Sequence, residues 1–161
     1  MLNIFRNTIY IRLRADELYL IHVESGNELS LPPEIAIDTS NGKKTIVAVG
    51  HEAKKAKKLK PSIEVFNAFK HPRTLLSDFT IAEHTLKYCF RKLMSKSLFA
   101  PSPVVIFHPL EKDEGGYTQV EIRAFEELSR QAGARKAFIH EGAILTTEQL
   151  HKISGSGVYE L

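Results

Sequence analysis

Four residues in the second half of the chain, His108, Glu121, His140 and Glu141, are of types that exchange protons or hold cations. If they stand near the carboxyl ends of two parallel strands, they occupy the place where open α/β sheets bind their ligands. The seven histidines contain no helical His-x-x-x-His pair and no zinc-ligand spacing, so exposed loop positions are the plainer reading and no metal is expected. Arg12 and Arg14 leave two readings open. Their guanidinium groups could bind an anion or pair with Glu121 or Glu141, or they could simply form the outward face of a strand. Cys89 falls inside a helical pattern, where a buried structural thiol is expected rather than a nucleophile. The chain has no P-loop, no Gly-x-Ser-x-Gly elbow and no Gly-x-Gly-x-x-Gly.

The elements that would position these groups follow from periodicity. Ile9, Ile11 and Leu13 alternate with Tyr10, Arg12 and Arg14, predicting a strand with one buried face, and Leu18 to Val23 forms a hairpin with it. Residues 34–39 and 45–50 flank the Asn41-Gly42 turn, which supplies the positive φ a short hairpin needs. A lysine-rich helix is expected from His51 to Leu59, and a short strand from Val65 to Phe69. Thr80-Ile81-Ala82-Glu83 reads as a capping box opening a helix to about Ser95. Val104 to His108 is a strand, and Thr118-Gln119-Val120-Glu121 is a second capping box. The helix it opens places Val120, Ala124, Leu128 and Ala132 on one face and stops at Gly133. With the strand Lys136 to His140 it completes a right-handed βαβ crossover with parallel strands. Thr146 to Ile153 is a final helix, and residues 154–161, starting Ser-Gly-Ser-Gly, read as a flexible tail.

The 161 residues suit one α/β domain, and a 43% hydrophobic share suffices for a core without cross-links. One cysteine fits a reducing, cytoplasmic setting. The longest purely apolar runs, such as Val104 to Phe107, fall far short of a bilayer span, and the start of the chain lacks the sustained apolar stretch of a secretory signal. The lysines from Lys54 to Lys60 recur at helical spacing with no arginine or interleaved aromatic residue, which favours a solvated face and no nucleic-acid partner.

Several stretches resemble the bacterial actin MreB family of rod shape-determining proteins, within the actin and Hsp70 superfamily. They include Pro33-Glu34-Ile35-Ala36-Ile37, Val47-Ala48-Val49-Gly50-His51-Glu52, Ser77-Asp78-Phe79-Thr80, Pro101-Ser102-Pro103-Val104-Val105, Thr118 to Ala124 and Gln131 to Arg135. The resemblance covers about residues 4 to 150 and matches the family's first domain. It implies an RNase H-like, five-stranded mixed sheet with flanking helices and a small inserted subdomain around residues 30–75.

Against the family's Ile-Asp-Leu-Gly-Thr phosphate turn, this chain reads Ile11-Arg12-Leu13-Arg14-Ala15. The resemblance therefore implies a degenerate phosphate loop. Arg14 would fill the space the glycine leaves for phosphates, and Arg12 would repel the Mg²⁺ that the aspartate organises. Glu121 stands where the family's water-positioning glutamate stands, although a glutamate at that position also caps its helix. Glu141 is the residue retained from a Glu-Glu-Pro run. The family's second domain, with the other phosphate loop and the adenosine pocket, has no counterpart in these residues.

The expectation is a non-catalytic interaction or regulatory module without a cofactor. Its partner would be a protein, either an MreB-type filament or a second copy in a homodimer. The alternative is an ATPase or nucleotide sensor whose cleft a second chain completes. Leu2, Ile4 and Phe5 loosely resemble a membrane-touching start, but so short a segment does not hold a bilayer alone.

Overall fold

The computed structural model describes residues 6–94, 101–111, 115–157 and 159. Leu2, Ile4 and Phe5, and the expected helix end at Ser95, lie outside them. Five strands form the main sheet: β1 (Thr8–Leu13), β2 (Leu18–His22), β3 (Glu28–Leu31), β7 (Val104–Pro109) and β8 (Lys136–Ile139). Their order is β3-β2-β1-β7-β8. The β1–β2 and β2–β3 pairs are antiparallel, whereas β1–β7 and β7–β8 are parallel. The expected five-stranded mixed sheet is therefore present, and β3 is the one of its strands that periodicity did not mark. Glu28–Leu31 offers only two apolar residues, too few to announce a strand.

Helices cover both faces of this sheet. Ile9, Ile11, Leu20, Val105 and Phe107 pack in one core with α2 (Phe79–Leu93) and α3 (Gln119–Gln131). The alternate residues Tyr10, Ile21 and Ile106 pack with Leu150 of α4 (Thr147–Ser156). β1 was expected to bury one face, yet Tyr10 is as buried as its aliphatic neighbours. β7 is buried along its whole length, as a parallel strand covered on both sides should be.

A second, three-stranded sheet holds β4 (Ile35–Asp38) between β5 (Thr45–Val49) and β6 (Ile63–Phe66). Ala36 and Ile63 pack against Ala53 and Ala56 of α1 (His51–Lys57). Ile35, Ile37 and Val49 instead join the main core. The third strand ends at Phe66, three residues before its expected end, because Asn67 turns its amide to the carbonyl of Ala15 at 2.7 Å.

Three helix details differ from expectation. α2 is capped by Asp78, whose carboxylate accepts the Ile81 N–H at 2.9 Å, so Thr80 lies inside the helix. α3 buries Phe125, Leu128 and Ser129; of the expected face Leu128 and Ala132 are buried, but Val120 is 77% exposed and Phe125 and Ser129 complete the stripe. α4 runs through Ser156, with Ser154 only 4% exposed, so this part of the expected tail is helix. The Ser154 hydroxyl donates to Glu24, whose other oxygen accepts the Thr8 N–H at 2.8 Å, and this pinning outweighs the weak helix propensity of Ser-Gly-Ser. Among the described residues no helix is long and apolar enough to cross a membrane.

Candidate functional site

The β1–β2 turn closes through Arg14, whose N–H donates to the Glu17 carbonyl at 2.8 Å. The Arg14 residue is exposed. At the next position the Ala15 N–H donates to Glu111 Oε2 at 2.8 Å, so a carboxylate of the same chain sits on a turn amide. Arg12 turns along the sheet instead of outward. Its guanidinium carbon lies 3.9 Å from the ring centroid of Tyr19, its cross-strand partner, a cation–π arrangement that holds the charge in place. Its Nε is buried and has no hydrogen-bond partner among the described residues.

At the start of α3 the expected capping box is complete. Glu121 Oε2 accepts the Thr118 N–H at 2.7 Å and the Thr118 hydroxyl at 2.8 Å, and the Glu121 N–H donates to Thr118 Oγ1 at 3.2 Å. Glu141 Oε1 accepts the Tyr117 N–H at 3.2 Å, while the Tyr117 hydroxyl donates to the Pro109 carbonyl at 2.7 Å. Burial pushes the Tyr117 phenol up to about 12, with the nearby charges of Glu141 and Glu121 adding to the effect. The two glutamates thus share one neighbourhood, centred on Tyr117.

The two histidines form a separate group. His108 is 2% exposed, not a loop residue at the surface, and both ring nitrogens are engaged. The Leu145 N–H donates to the Tyr10 hydroxyl at 3.3 Å, that hydroxyl lies 2.6 Å from His108 Nδ1, and His108 Nε2 lies 3.2 Å from the Gly142 carbonyl. A carbonyl only accepts, so Nε2 carries the proton and Nδ1 takes the tyrosine's. Burial pushes His108 down to about 4, and the neighbouring His140 adds to it. The His140 ring meets His108 edge-on at 4.6 Å and donates from Nε2 to the Ala143 carbonyl at 2.8 Å. These rings tie the end of β7 to the segment that leads into α4. Among the described residues no group of three or more His, Cys, Asp or Glu is placed to hold a metal ion.

A cleft of about 820 Å³ opens beside the β1–β2 turn. Ala15, Glu111 and Glu121 line it, as do residues 70–75 of the loop after β6, where Lys70 and Arg73 bring positive charge. Arg12, Arg14, Ala15, Glu121 and Glu141 are the residues that the family resemblance brings to one site. The structure puts Ala15 and Glu121 on this cleft, Glu141 behind Tyr117, and Arg12 against Tyr19. It adds Glu111, Tyr117 and Tyr10, which no local pattern marked. Cys89 is fully buried, and burial pushes its thiol up to about 12, which leaves it inert as a nucleophile.

A mixed sheet in this order, helices on both faces and a second small sheet set beside β3 define an actin-like α/β domain. The crystal structure of MreB5 of Spiroplasma citri bound to AMPPNP has the same fold, with a TM-score of 0.67 at 19% identity over 96% of this chain and 42% of that one. The family model described as MreB/Mbl protein matches residues 7–147, and the chain belongs to that family. The cell shape-determining protein MreB of Escherichia coli K12 is 32% identical over 141 residues, 85% of this chain and 39% of the relative. The cell shape-determining protein Mbl of Bacillus cereus is 34% identical over 124 residues, 76% of this chain and 34% of the relative. The chain therefore spans under two-fifths of the length of these relatives.

Proposed function

We propose that this chain is a non-catalytic member of the MreB/Mbl family, an interaction or regulatory module of the cell-shape cytoskeleton whose nucleotide site is degenerate. The observation that carries this reading is the Glu111 carboxylate on the Ala15 N–H. A phosphate approaching that amide would have to break a charge-assisted hydrogen bond and then face the displaced carboxylate, a like-charge contact. Arg14 at the turn and Arg12 locked onto Tyr19 offer no carboxylate for a bridging Mg²⁺. Glu121 has one oxygen committed to Thr118, which suits a helix cap better than a water-positioning group. A cytoplasmic setting suits the single buried thiol.

The cations of Lys70 and Arg73 along the cleft favour the second reading, in which another chain completes the cleft and a nucleotide binds. Isothermal titration of the purified chain with Mg²⁺-ATP separates the two. No heat of binding is expected, for the wild type and for Glu121→Ala alike. Micromolar binding that Glu121→Ala leaves intact but uncouples from hydrolysis would establish the nucleotide sensor instead.

A further inference from the structure

The turn between β2 and β3 holds a hydroxyl, an imidazole and a carboxylate in series, at the other end of β1 from the cleft. Ser25 is exposed, and its Oγ lies 2.6 Å from His22 Nδ1. The Asn27 N–H donates to the same Oγ at 3.2 Å, so the hydroxyl proton is left to point at the ring. On the far side of the ring, His22 Nε2 lies 3.3 Å from Glu24 Oε2. An ionised carboxylate only accepts, so in the neutral imidazole the proton sits on Nε2 and Nδ1 presents its lone pair to the Ser25 O–H. Nucleophile, base and orienting group thus stand in the order that activates a serine.

The carboxylate is clamped by elements outside the turn. Glu24 Oε2 also accepts the Thr8 N–H of β1 at 2.8 Å, and Oε1 accepts the Ser154 hydroxyl of α4. Burial alone would raise this carboxyl, but the hydrogen bonds from Ser154 and Thr8 outweigh it and hold Glu24 below its ordinary value, ionised beside His22. The hairpin backbone is closed as well: the His22 N–H donates to the Asn27 carbonyl and the Gly26 N–H to the His22 carbonyl, both at 2.8 Å. Gly26 adopts φ 72°, and nothing lies within 4 Å of where its Cβ would be, so a reagent reaches Ser25 unhindered from that side.

We propose that Ser25 is an acyl-acceptor site, modified by activated acyl donors (esters, thioesters or acyl phosphates) with His22 as general base and Glu24 as positioning residue. Ser25 Oγ bonds to the acyl carbon while its proton passes to His22 Nδ1. The bond from that carbon to the leaving oxygen or sulfur then breaks, and the leaving group departs with the proton from His22. The products are the acyl-serine and the protonated leaving group, and nothing is oxidised or reduced. The N–H groups of the next two residues, Gly26 and Asn27, are committed to the His22 carbonyl and to Ser25 Oγ, so they do not form an oxyanion hole. The acyl group therefore stays on Ser25 as a modification, in keeping with a chain that does not turn over substrate. The inference is independent of the nucleotide question, because none of these residues lines the cleft.

The test is site-resolved mass spectrometry after brief exposure of the chain to p-nitrophenyl acetate, with acetyl phosphate in a second arm to separate a neutral donor from an anionic one. Hydroxylamine strips acetyl groups from oxygen and leaves them on lysine, which distinguishes Ser25 from the many surface lysines. With at least one donor, Ser25 should be acetylated about a hundred-fold faster than the other exposed serines, the scale of one general base. His22→Gln should remove that advantage while circular dichroism is unchanged, and the urea-unfolded wild type should lose it too. Ser25→Ala should leave no hydroxylamine-sensitive label on the turn. Glu24→Gln should lower the pH midpoint of labelling, a readout that mere support of the turn would not move. Ser25 reacting no faster than the other serines with both donors overturns the proposal. So does a label on the turn that survives Ser25→Ala, or a rate that His22→Gln leaves unchanged, and an unmoved midpoint removes Glu24 from its role.

Discussion

The β1–β2 turn and the first turn of α3 face the same cleft, yet an amide of one is held by a distant carboxylate and those of the other by their own local cap. The difference lies in what each must satisfy when no ligand is present. Helix α3 begins with free N–H groups that need acceptors whatever the protein does, and Thr118 and Glu121 supply them within four residues. A phosphate turn has no such local need; its bare amides are justified only by the anion they hold. In this chain the Ala15 amide is satisfied by Glu111, brought in from 96 positions away, which on the proposed reading stands where an anion would. A glutamate that caps its own helix, as Glu121 does, is therefore weak testimony to activity, whereas on the proposed reading the occupied turn amide bears on it directly.

Both regions hang from one core, and breaking that core should have the largest effect. Phe107 on β7, which leads into Glu111, and Phe125 on α3, which Thr118 caps, stack with centroids 4.7 Å apart. Both are fully buried. Phe125→Ala should destabilise the fold by about 3–5 kcal/mol, seen as a large drop in the urea midpoint. A loss below about 1 kcal/mol would mean that the two loops are positioned independently.

The next effect concerns His108. Its pKa is lowered by folding from 6.5 to about 4, so between those values the unfolded chain binds the proton that the folded chain refuses. The stability this group contributes is present in full above pH 6.5 and is lost as pH falls toward 4, a change of about 3 kcal/mol at most. His108→Gln keeps an acceptor for Tyr10 and a donor for Gly142 but does not titrate. Urea midpoints of the variant should fall less than those of the wild type over that interval, and identical pH profiles would show that the imidazole charges without penalty.

What the sequence revealed and what it hid divide along the same line of local against distant causes. The Thr118 capping box, the β1–β2 hairpin and the Asn41-Gly42 turn lie within a few residues of their own signals. At the start of α2 the Thr80 capping pattern is the only one read, and the helix in fact begins two residues earlier, at the Asp78 cap. Asp78 prevailed over Thr80 because the helix must begin early enough for Phe79 and Ile81 to reach the core. The end of α4 was hidden because Ser154 answers to Glu24, 130 positions away. Tyr10 looked like an outward residue, since nothing near it in sequence announces the helix that covers it or the histidine it bonds. The residues that the resemblance singled out, Ala15 and Glu121, both line the cleft, but the carboxylate on the Ala15 amide comes from the loop after β7, which no pattern near Ala15 announces.

The smallest expected effect is also the most direct probe of the opening contrast. Glu111→Ala removes one exposed hydrogen bond to a turn whose Arg14–Glu17 closure and Asn67 contact remain, and water can replace the lost acceptor. Stability should change by no more than about 1 kcal/mol. The informative readout is the Ala15 amide resonance in a nitrogen-15 NMR titration with inorganic phosphate. With the carboxylate in place the amide is already satisfied and shielded by negative charge, so its shift should stay constant. In Glu111→Ala the same amide becomes an open donor beside Arg14, and a saturable shift should appear at millimolar phosphate, weak because one turn amide and one flexible guanidinium make a shallow anion site. A wild-type resonance that moves as far as the variant's would mean that Glu111 yields readily to an anion, and the degenerate-site reading would lose the observation on which it rests.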